Sequence, residues 1–99
     1  MLQNSLSTEA QTAIHTLFRQ VQGRRLLPQR TLDQFYAEPE TVVRRVEWLQ
    51  RHSNLRNRTV VFLGDDDLTS LALALTTVVQ RIVVVDIDRR LLDFLGAVA

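Results

Sequence analysis

Hydrophobic residues at three- and four-residue spacing dominate the first part of the chain. Over residues 7–22 this spacing predicts an amphipathic helix, whose apolar side comprises Ala10, Ala13, Ile14, Leu17, Phe18 and Val21. Thr8 followed by Gln11 has the form of a capping box at its start, and Gly23 is a typical residue at its end. The segment that follows, RRLLPQRTLDQFYAEPE, has no sustained periodicity and therefore predicts an extended connection.

A second helix is predicted to begin at Pro39, because proline is favoured at the first helical position. Its inner face comprises Val42, Val43, Val46 and Leu49. Trp48 lies beside that face, and we expect it to cover a packing seam rather than to bind a ligand. The adjacent pair Arg44 and Arg45 is interpreted as a solvated face or as helix-end charge, with a phosphate or polyanion site as the alternative.

Beyond residue 58 the helical spacing gives way to short, uninterrupted apolar runs. The runs 59–63 and 82–85 predict strands, and their lack of alternation favours strands covered on both faces of a parallel sheet. Helices are predicted over residues 68–79, where the Thr-Thr-Val-Val end has poor propensity, and from Arg89 onward. The order strand, helix, strand, helix predicts the opening of a doubly wound α/β fold after N-terminal helices.

Length and composition exclude several classes of protein. Two strands are too few for a complete sheet, so we expect the 99 residues to be a fragment, a truncated product or a subdomain that depends on a partner. The sequence has no cysteine, no signal-peptide pattern and no apolar run of roughly 18–20 residues, which favours a cytoplasmic protein without a membrane partner. The net charge of +1 argues against a nucleic-acid partner. Neither His15 nor His52 has a partner at metal-ligand spacing, so no metal site is expected.

Both predicted strands end in acidic residues. In open α/β sheets, ligands bind beyond the carboxyl ends of the strands, and an acidic residue about 20 positions after the first glycine binds ribose hydroxyls. Asp86 stands at that kind of separation from Gly64, which predicts a nucleoside site. Asp65, Asp66 and Asp67 follow Gly64, where a phosphate-binding loop would have glycines. Their charge disfavours phosphate and favours a cation, which would be a sulfonium, a polyamine or a metal ion.

The same carboxylates have other interpretations. One of them could remove a proton from an attacking ammonium group, because repulsion among neighbouring carboxylates raises a pKa toward neutrality. Asp67 is also placed to be the N-cap of the helix that follows it, and Asp88 is placed to cap the last helix. On the residues alone we favour Asp86 for ribose and Asp88 for capping.

Three segments together resemble the branched-chain polyamine synthase family, also called N4-bis(aminopropyl)spermidine synthases. They are LDQFYAEPETVVRRV, GDDDLTSLALAL and VVVDIDRRLLDF, and the resemblance covers about residues 30–95. It implies a winged-helix-like N-terminal domain followed by a Rossmann-like aminopropyltransferase domain. We assign residues 1–38 to an N-terminal helix and linker and residues 39–99 to the incomplete start of the transferase domain. The chain departs from the family at Glu38, where threonine is usual, in having one helix where a winged helix is expected, and in lacking the later strands.

The resemblance also implies a reaction. Family members transfer aminopropyl groups from decarboxylated S-adenosylmethionine, a co-substrate, to the secondary amine of spermidine. Matched onto the GDDD motif, Asp66 is the expected catalytic base, with Asp65 the next candidate. Binding of the co-substrate is expected of four residues, with Asp86 holding the ribose: Gly64, Asp67, Asp86 and Asp88.

Two other functions remain open. A fragment of an S-adenosylmethionine-dependent methyltransferase would share the ribose aspartate, although methyltransferases usually keep glycines in the first loop. A non-catalytic remnant would bind a polyamine or a protein partner through the acidic turn. The protein partners expected for such a piece are a second copy of the chain or a complementing chain.

Overall fold

The computed structural model describes residues 6–24, 38–65 and 67–99, and within these ranges the chain forms four helices and a two-stranded parallel sheet. The elements are α1 (Thr8–Val21), α2 (Pro39–His52), β1 (Thr59–Leu63), α3 (Thr69–Thr76), β2 (Arg81–Val85) and α4 (Arg89–Val98). The predicted α/β order is therefore confirmed. Most of the predicted connection before α2 lies outside the described residues.

The N-terminus of α1 differs by one residue from the predicted capping box. Ser7 is the N-cap, with an extended backbone, and its Oγ accepts a hydrogen bond from the Ala10 N–H at 3.0 Å. The prediction that the box begins at Thr8 is wrong, because Thr8 is already helical. Serine and threonine are both good caps, so adjacent candidates can be separated only by their backbone angles.

Replacing Ser7 with alanine should lower the free energy of unfolding by about 1 kcal/mol, since the Ala10 N–H loses its acceptor. Thr8→Ala is the matched control, and it should change stability by less than about 0.5 kcal/mol because Thr8 is exposed and helical. Urea unfolding followed by circular dichroism measures both. Equal losses from the two substitutions would contradict the assignment of Ser7 as the cap.

A single hydrophobic core joins all four helices. Helix α2 begins at Pro39, as predicted, and buries Val42, Val43 and Val46, while Leu49 is only partly buried. Buried residues of the core come from every helix and include Ile14, Phe18, Val21, Leu71, Ala72, Leu73, Leu91 and Leu95. Helix α1 contacts α2 and α3, so the residues before the connection pack against those after it.

The sheet is covered on one face only within the described part of the chain. Strands β1 and β2 pair in parallel, with Val61 opposite Val83 and Leu63 opposite Val85. Val60, Phe62, Ile82 and Val84 pack against the core, whereas Val61, Leu63 and Val85 are 54%, 85% and 54% exposed. The expectation of strands covered on both faces is therefore wrong for the described residues, because the hydrophobic core lies against just one side of the pair.

Helix α3 is shorter than predicted at both ends. It begins at Thr69 after Leu68, whose backbone is left-handed (φ 64°, ψ 26°), and it ends at Thr76 because Thr77 is extended. A left-handed leucine costs about 1–2 kcal/mol. Leu68 is 1% exposed, and burial of its side chain contributes roughly 1.5–3 kcal/mol, which offsets that cost. The chain therefore turns at Leu68, and the side chains of Asp65 and Asp67 both accept hydrogen bonds from the first two residues of α3.

Candidate functional site

The carboxyl ends of β1 and β2 lie side by side and bring Gly64 close to Asp86. The Gly64 N–H donates to the Val85 carbonyl oxygen at 2.8 Å, so the parallel pairing continues one residue beyond β1. Gly64 has φ +87°, and a Cβ at this position would lie 3.8 Å from Asp86 Oδ2. The glycine therefore allows the chain to turn while leaving the space beside the Asp86 carboxylate open.

The Asp65 carboxylate is hydrogen-bonded to the N-terminus of α3. The side chain is buried, with the residue 2% exposed, and Oδ1 accepts from the Ser70 N–H at 3.0 Å. The Ser70 hydroxyl donates to the other carboxylate oxygen. Both oxygens thus receive hydrogen bonds from the first turn of the helix, where a negative charge is favourable.

Asp67 is engaged on both oxygens as well. Oδ1 accepts from the Thr69 N–H at 3.2 Å and from the Thr69 hydroxyl at 2.9 Å. Oδ2 forms an ion pair with Arg45 Nη1 of helix α2. The prediction that Asp67 itself is the N-cap is wrong by one residue, because Leu68 occupies that position without a side-chain bond of its own. Asp67 nevertheless supplies a bond to the same helix end.

At the carboxyl end of β2, Asp88 caps helix α4 and Asp86 lies beside Gly64. Asp88 Oδ1 accepts from the Arg90 N–H at 3.0 Å and is the N-cap of α4, which confirms its predicted capping role. Asp86 Oδ1 accepts from the Asp88 N–H at 2.9 Å, and its Oδ2 lies beside Gly64. The bond to Oδ1 fixes the orientation of the Asp86 carboxylate. Its role toward ribose stays a prediction, as do the co-substrate contacts expected of Gly64, Asp67 and Asp88.

Asp66, the predicted base, lies outside the described residues, so its assignment stays a prediction. Each buried side-chain nitrogen or oxygen in the described ranges has a hydrogen-bond partner. No group of three or more histidine, aspartate or glutamate side chains in those ranges is arranged to hold a metal ion. The described helices include none that is both long and apolar enough to span a membrane.

A cleft of about 500 Å³ lies between α2 and the end of β1. Trp48 stands on its wall, 57% exposed, with its ring centroid 4.4 Å from that of His52. The expectation that Trp48 covers a packing seam stays a prediction. The cleft is lined by Arg45, Trp48, Leu49, Phe62, Leu63, Gly64, Asp67 and Thr69.

Arg45 is a site residue that was not predicted from the sequence. It was interpreted as part of a solvated face or as helix-end charge, whereas its guanidinium pairs with Asp67 and lines the cleft. A nearby positive charge stabilises a cluster of carboxylates, and that preference is the sequence signal for such a partner. The sequence contains several arginine pairs, and the packing of α2 against the turn selects which one meets it.

Comparison with known proteins gives consistent matches. The family model of the branched-chain polyamine synthase A C-terminal domain matches residues 13–99. The N(4)-bis(aminopropyl)spermidine synthase of Methanocaldococcus jannaschii is 42% identical over 82 residues, which is 83% of this chain and 23% of that protein. The enzyme of the same name from Thermococcus kodakarensis is 44% identical over the same length, with the same coverage. The chain thus spans about a quarter of the length of these relatives.

A solved structure gives the same result. It is that of the branched-chain polyamine synthase C9 mutein from Thermus thermophilus in complex with N4-aminopropylspermidine and 5'-methylthioadenosine. The TM-score is 0.77 at 35% identity, and the match covers 93% of this chain and 26% of that one. The family model alone matches well over half of the chain, and the relatives agree with it. This chain belongs to the branched-chain polyamine synthase family.

Proposed function

We propose that this chain forms part of an aminopropyltransferase site that uses decarboxylated S-adenosylmethionine as donor and a spermidine-type polyamine as acceptor. The observation that carries the proposal is the placement of Gly64 beside the oriented Asp86 carboxylate, at the same sheet edge as the acidic turn. Both substrates are cationic, so this edge attracts them and disfavours phosphate. The two strands with α3 and α4 are then the start of a Rossmann-like sheet, and residues 39–99 are the start of the transferase domain, after the N-terminal helix and linker of residues 1–38.

The donor lies against the Gly64 turn in this proposal. Asp86 accepts hydrogen bonds from the ribose hydroxyls, which suits an acidic residue at the end of the second strand of an α/β unit. Gly64 has no side chain, so the nucleoside can approach the backbone closely. The relative from Thermus thermophilus was solved with 5'-methylthioadenosine, the nucleoside that remains after aminopropyl transfer from this donor.

In this proposal the acceptor amine binds at the acidic turn. A carboxylate takes the proton from the acceptor ammonium, and the freed lone pair attacks the methylene carbon next to the sulfonium. The new C–N bond forms as the C–S bond breaks, and neutral 5'-methylthioadenosine leaves. Asp65 and Asp67 are engaged with α3 and Arg45, which favours Asp66 as the base over Asp65.

Asp66→Asn should lower the rate of aminopropyl transfer by about 10²–10⁴-fold, the usual contribution of a general base. The measurement is release of 5'-methylthioadenosine from the decarboxylated donor in the presence of spermidine, followed by chromatography. Asp93→Asn is the matched control, because Asp93 is an exposed aspartate of α4, and its rate should stay within twofold of the wild type.

The same assay separates the competing functions. Calorimetric binding of both spermidine and 5'-methylthioadenosine without any turnover would indicate a non-catalytic polyamine-binding piece. Release of S-adenosylhomocysteine from S-adenosylmethionine would indicate a methyltransferase. Binding of neither ligand by the wild-type chain would reject the proposal. The expected cytoplasmic location, and a second copy or a complementing chain as partner, stay predictions.

A further inference from the structure

Arg45 connects a helix that precedes the sheet to the acidic turn that follows β1. Its Nη1 contacts Asp67 Oδ2, while Asp67 Oδ1 receives both hydrogen bonds from Thr69. The Asp67 side chain is 13% exposed and the Arg45 side chain 49%. The carboxylate is thus enclosed between α2 and the first residue of α3, whereas the guanidinium remains half in solvent.

The turn is held on both sides of residue 66. On the first side, Asp65 accepts from the Ser70 N–H and hydroxyl. On the second side, Asp67 accepts from Thr69 and pairs with Arg45. Arg45 lies on α2 and pairs with Asp67, so this ion pair relates the turn to α2.

Helix α2 makes a second polar contact, at the other end of α3. Gln50 Nε2 donates to Thr77 Oγ1 at 2.7 Å, just after α3 ends. Arg45 and Gln50 therefore bracket α3 from one helix, with Val42, Val46 and Leu73 buried in the core that these helices share. Because α2 and α3 already pack closely, the Arg45 pair determines the position of the turn rather than that of the helices.

We propose that Arg45 is a positioning residue of the transferase site. By holding Asp67 against α2, it fixes the described part of the acidic turn, at which the acceptor amine binds in the proposed function. This inference rests on the proposed function, since it assigns Arg45 a part in binding the polyamine acceptor at the turn. Arg45 does not itself contact the acceptor in this assignment, because its charge would repel a polyamine.

The direction in which polyamine binding changes when Arg45 is removed distinguishes a positioning role from a purely electrostatic one. If Arg45 acted only as a counter-charge, its removal would make the turn more negative and polycation binding would become tighter. If Arg45 positions the turn, its removal releases Asp67 and acceptor binding becomes weaker. The donor site depends on Gly64, at the end of β1, and on Asp86, at the end of β2, whereas the ion pair of Arg45 is with Asp67. Nucleoside binding should therefore change little in either case.

The experiment compares Arg45→Gln, Arg45→Lys and Arg44→Gln in the full 99-residue chain. Arg44 is the matched control, because it is the exposed neighbour on the same helix. For Arg45→Gln we expect about fivefold weaker binding of spermidine by calorimetry, the scale of one partly exposed ion pair. Binding of 5'-methylthioadenosine should stay within twofold, and hydrogen exchange of the Thr69 amide should be about fivefold faster by NMR. Arg45→Lys should recover part of both effects, and Arg44→Gln should show neither.

Tighter or unchanged spermidine binding by Arg45→Gln would overturn the inference, as would equal effects from Arg44→Gln. Equal weakening of spermidine and 5'-methylthioadenosine would also overturn it, since that result indicates a general loss of structure. If the wild-type chain binds neither ligand, the proposed function fails. The Thr69 exchange rates then still decide whether Arg45 holds the turn, because that measurement needs no ligand.

Discussion

Gly64→Ala should lower the free energy of unfolding by about 1–2 kcal/mol and weaken binding of 5'-methylthioadenosine by about tenfold or more. The stability loss follows from φ +87°, a backbone region that is unfavourable for any residue with a Cβ. The loss of binding follows from the new methyl group, 3.8 Å from Asp86 Oδ2, in the space proposed for the ribose. Urea unfolding and calorimetry measure the two effects separately.

Gly96→Ala is the matched control for this substitution. Gly96 lies in α4, is exposed, and has no atom within 4 Å of an added Cβ. Alanine should therefore increase stability by up to about 1 kcal/mol, because it is the better helix former. Nucleoside binding should be unchanged. We therefore expect Gly64→Ala and Gly96→Ala to change stability in opposite directions. Equal changes would refute the conformational role assigned to Gly64.

The order of the elements could be predicted because it depends on local patterns. A spacing of three and four residues specifies α1 and α2, and Pro39 marks the start of α2 at the residue where the structure has it. The strands were predicted to within one residue, and the Asp88 cap of α4 was identified directly. Each of these signals lies within a few residues of the feature that it predicts.

The N-terminal ends of α1 and α3 were misplaced by one residue for a shared reason. Ser7 and Thr8 both have a hydroxyl that can cap, and Asp67 precedes a residue with no capping group at all. Which of two neighbouring residues is the N-cap depends on which of them has non-helical backbone angles. At α3 that residue is Leu68, whose left-handed backbone is stabilised by burial of its side chain in the core. A leucine in this role is not predictable from propensity, which favours glycine or asparagine there.

The remaining misses depend on packing between distant residues. Val61, Leu63 and Val85 are as apolar as buried strand residues, so composition alone indicates coverage of both faces. Whether a second layer covers them is decided by which other elements reach that face. The ion pair between Arg45 and Asp67 was missed for the same reason, because it depends on how α2 packs against the turn. The placement of carboxylates at the strand ends was predictable from the sequence, but the restraint on those carboxylates was not.

Leu73→Ala should be the most destabilising single substitution in α3. Leu73 is 0% exposed and belongs to the core shared by all four helices. Truncation of a fully buried leucine costs about 2–5 kcal/mol, because both the transfer free energy and the contacts around the resulting cavity are lost. A domain of this size has a total stability of about 5–15 kcal/mol, so much of it would be lost. The melting temperature should fall by about 10–20 °C or more in a circular dichroism melt.

Leu75→Ala is the matched control, two residues along the same helix. Leu75 is 54% exposed, and the change in helix propensity is the same, so the loss of stability should stay below about 0.5 kcal/mol. The comparison tests which face of α3 meets the core. The N-terminus of α3 holds the carboxylates of Asp65 and Asp67, so a core that fixes Leu73 also fixes the acidic turn. Similar losses from the two substitutions would mean that α3 is not anchored by this face, and the geometry proposed for the site would lose its support.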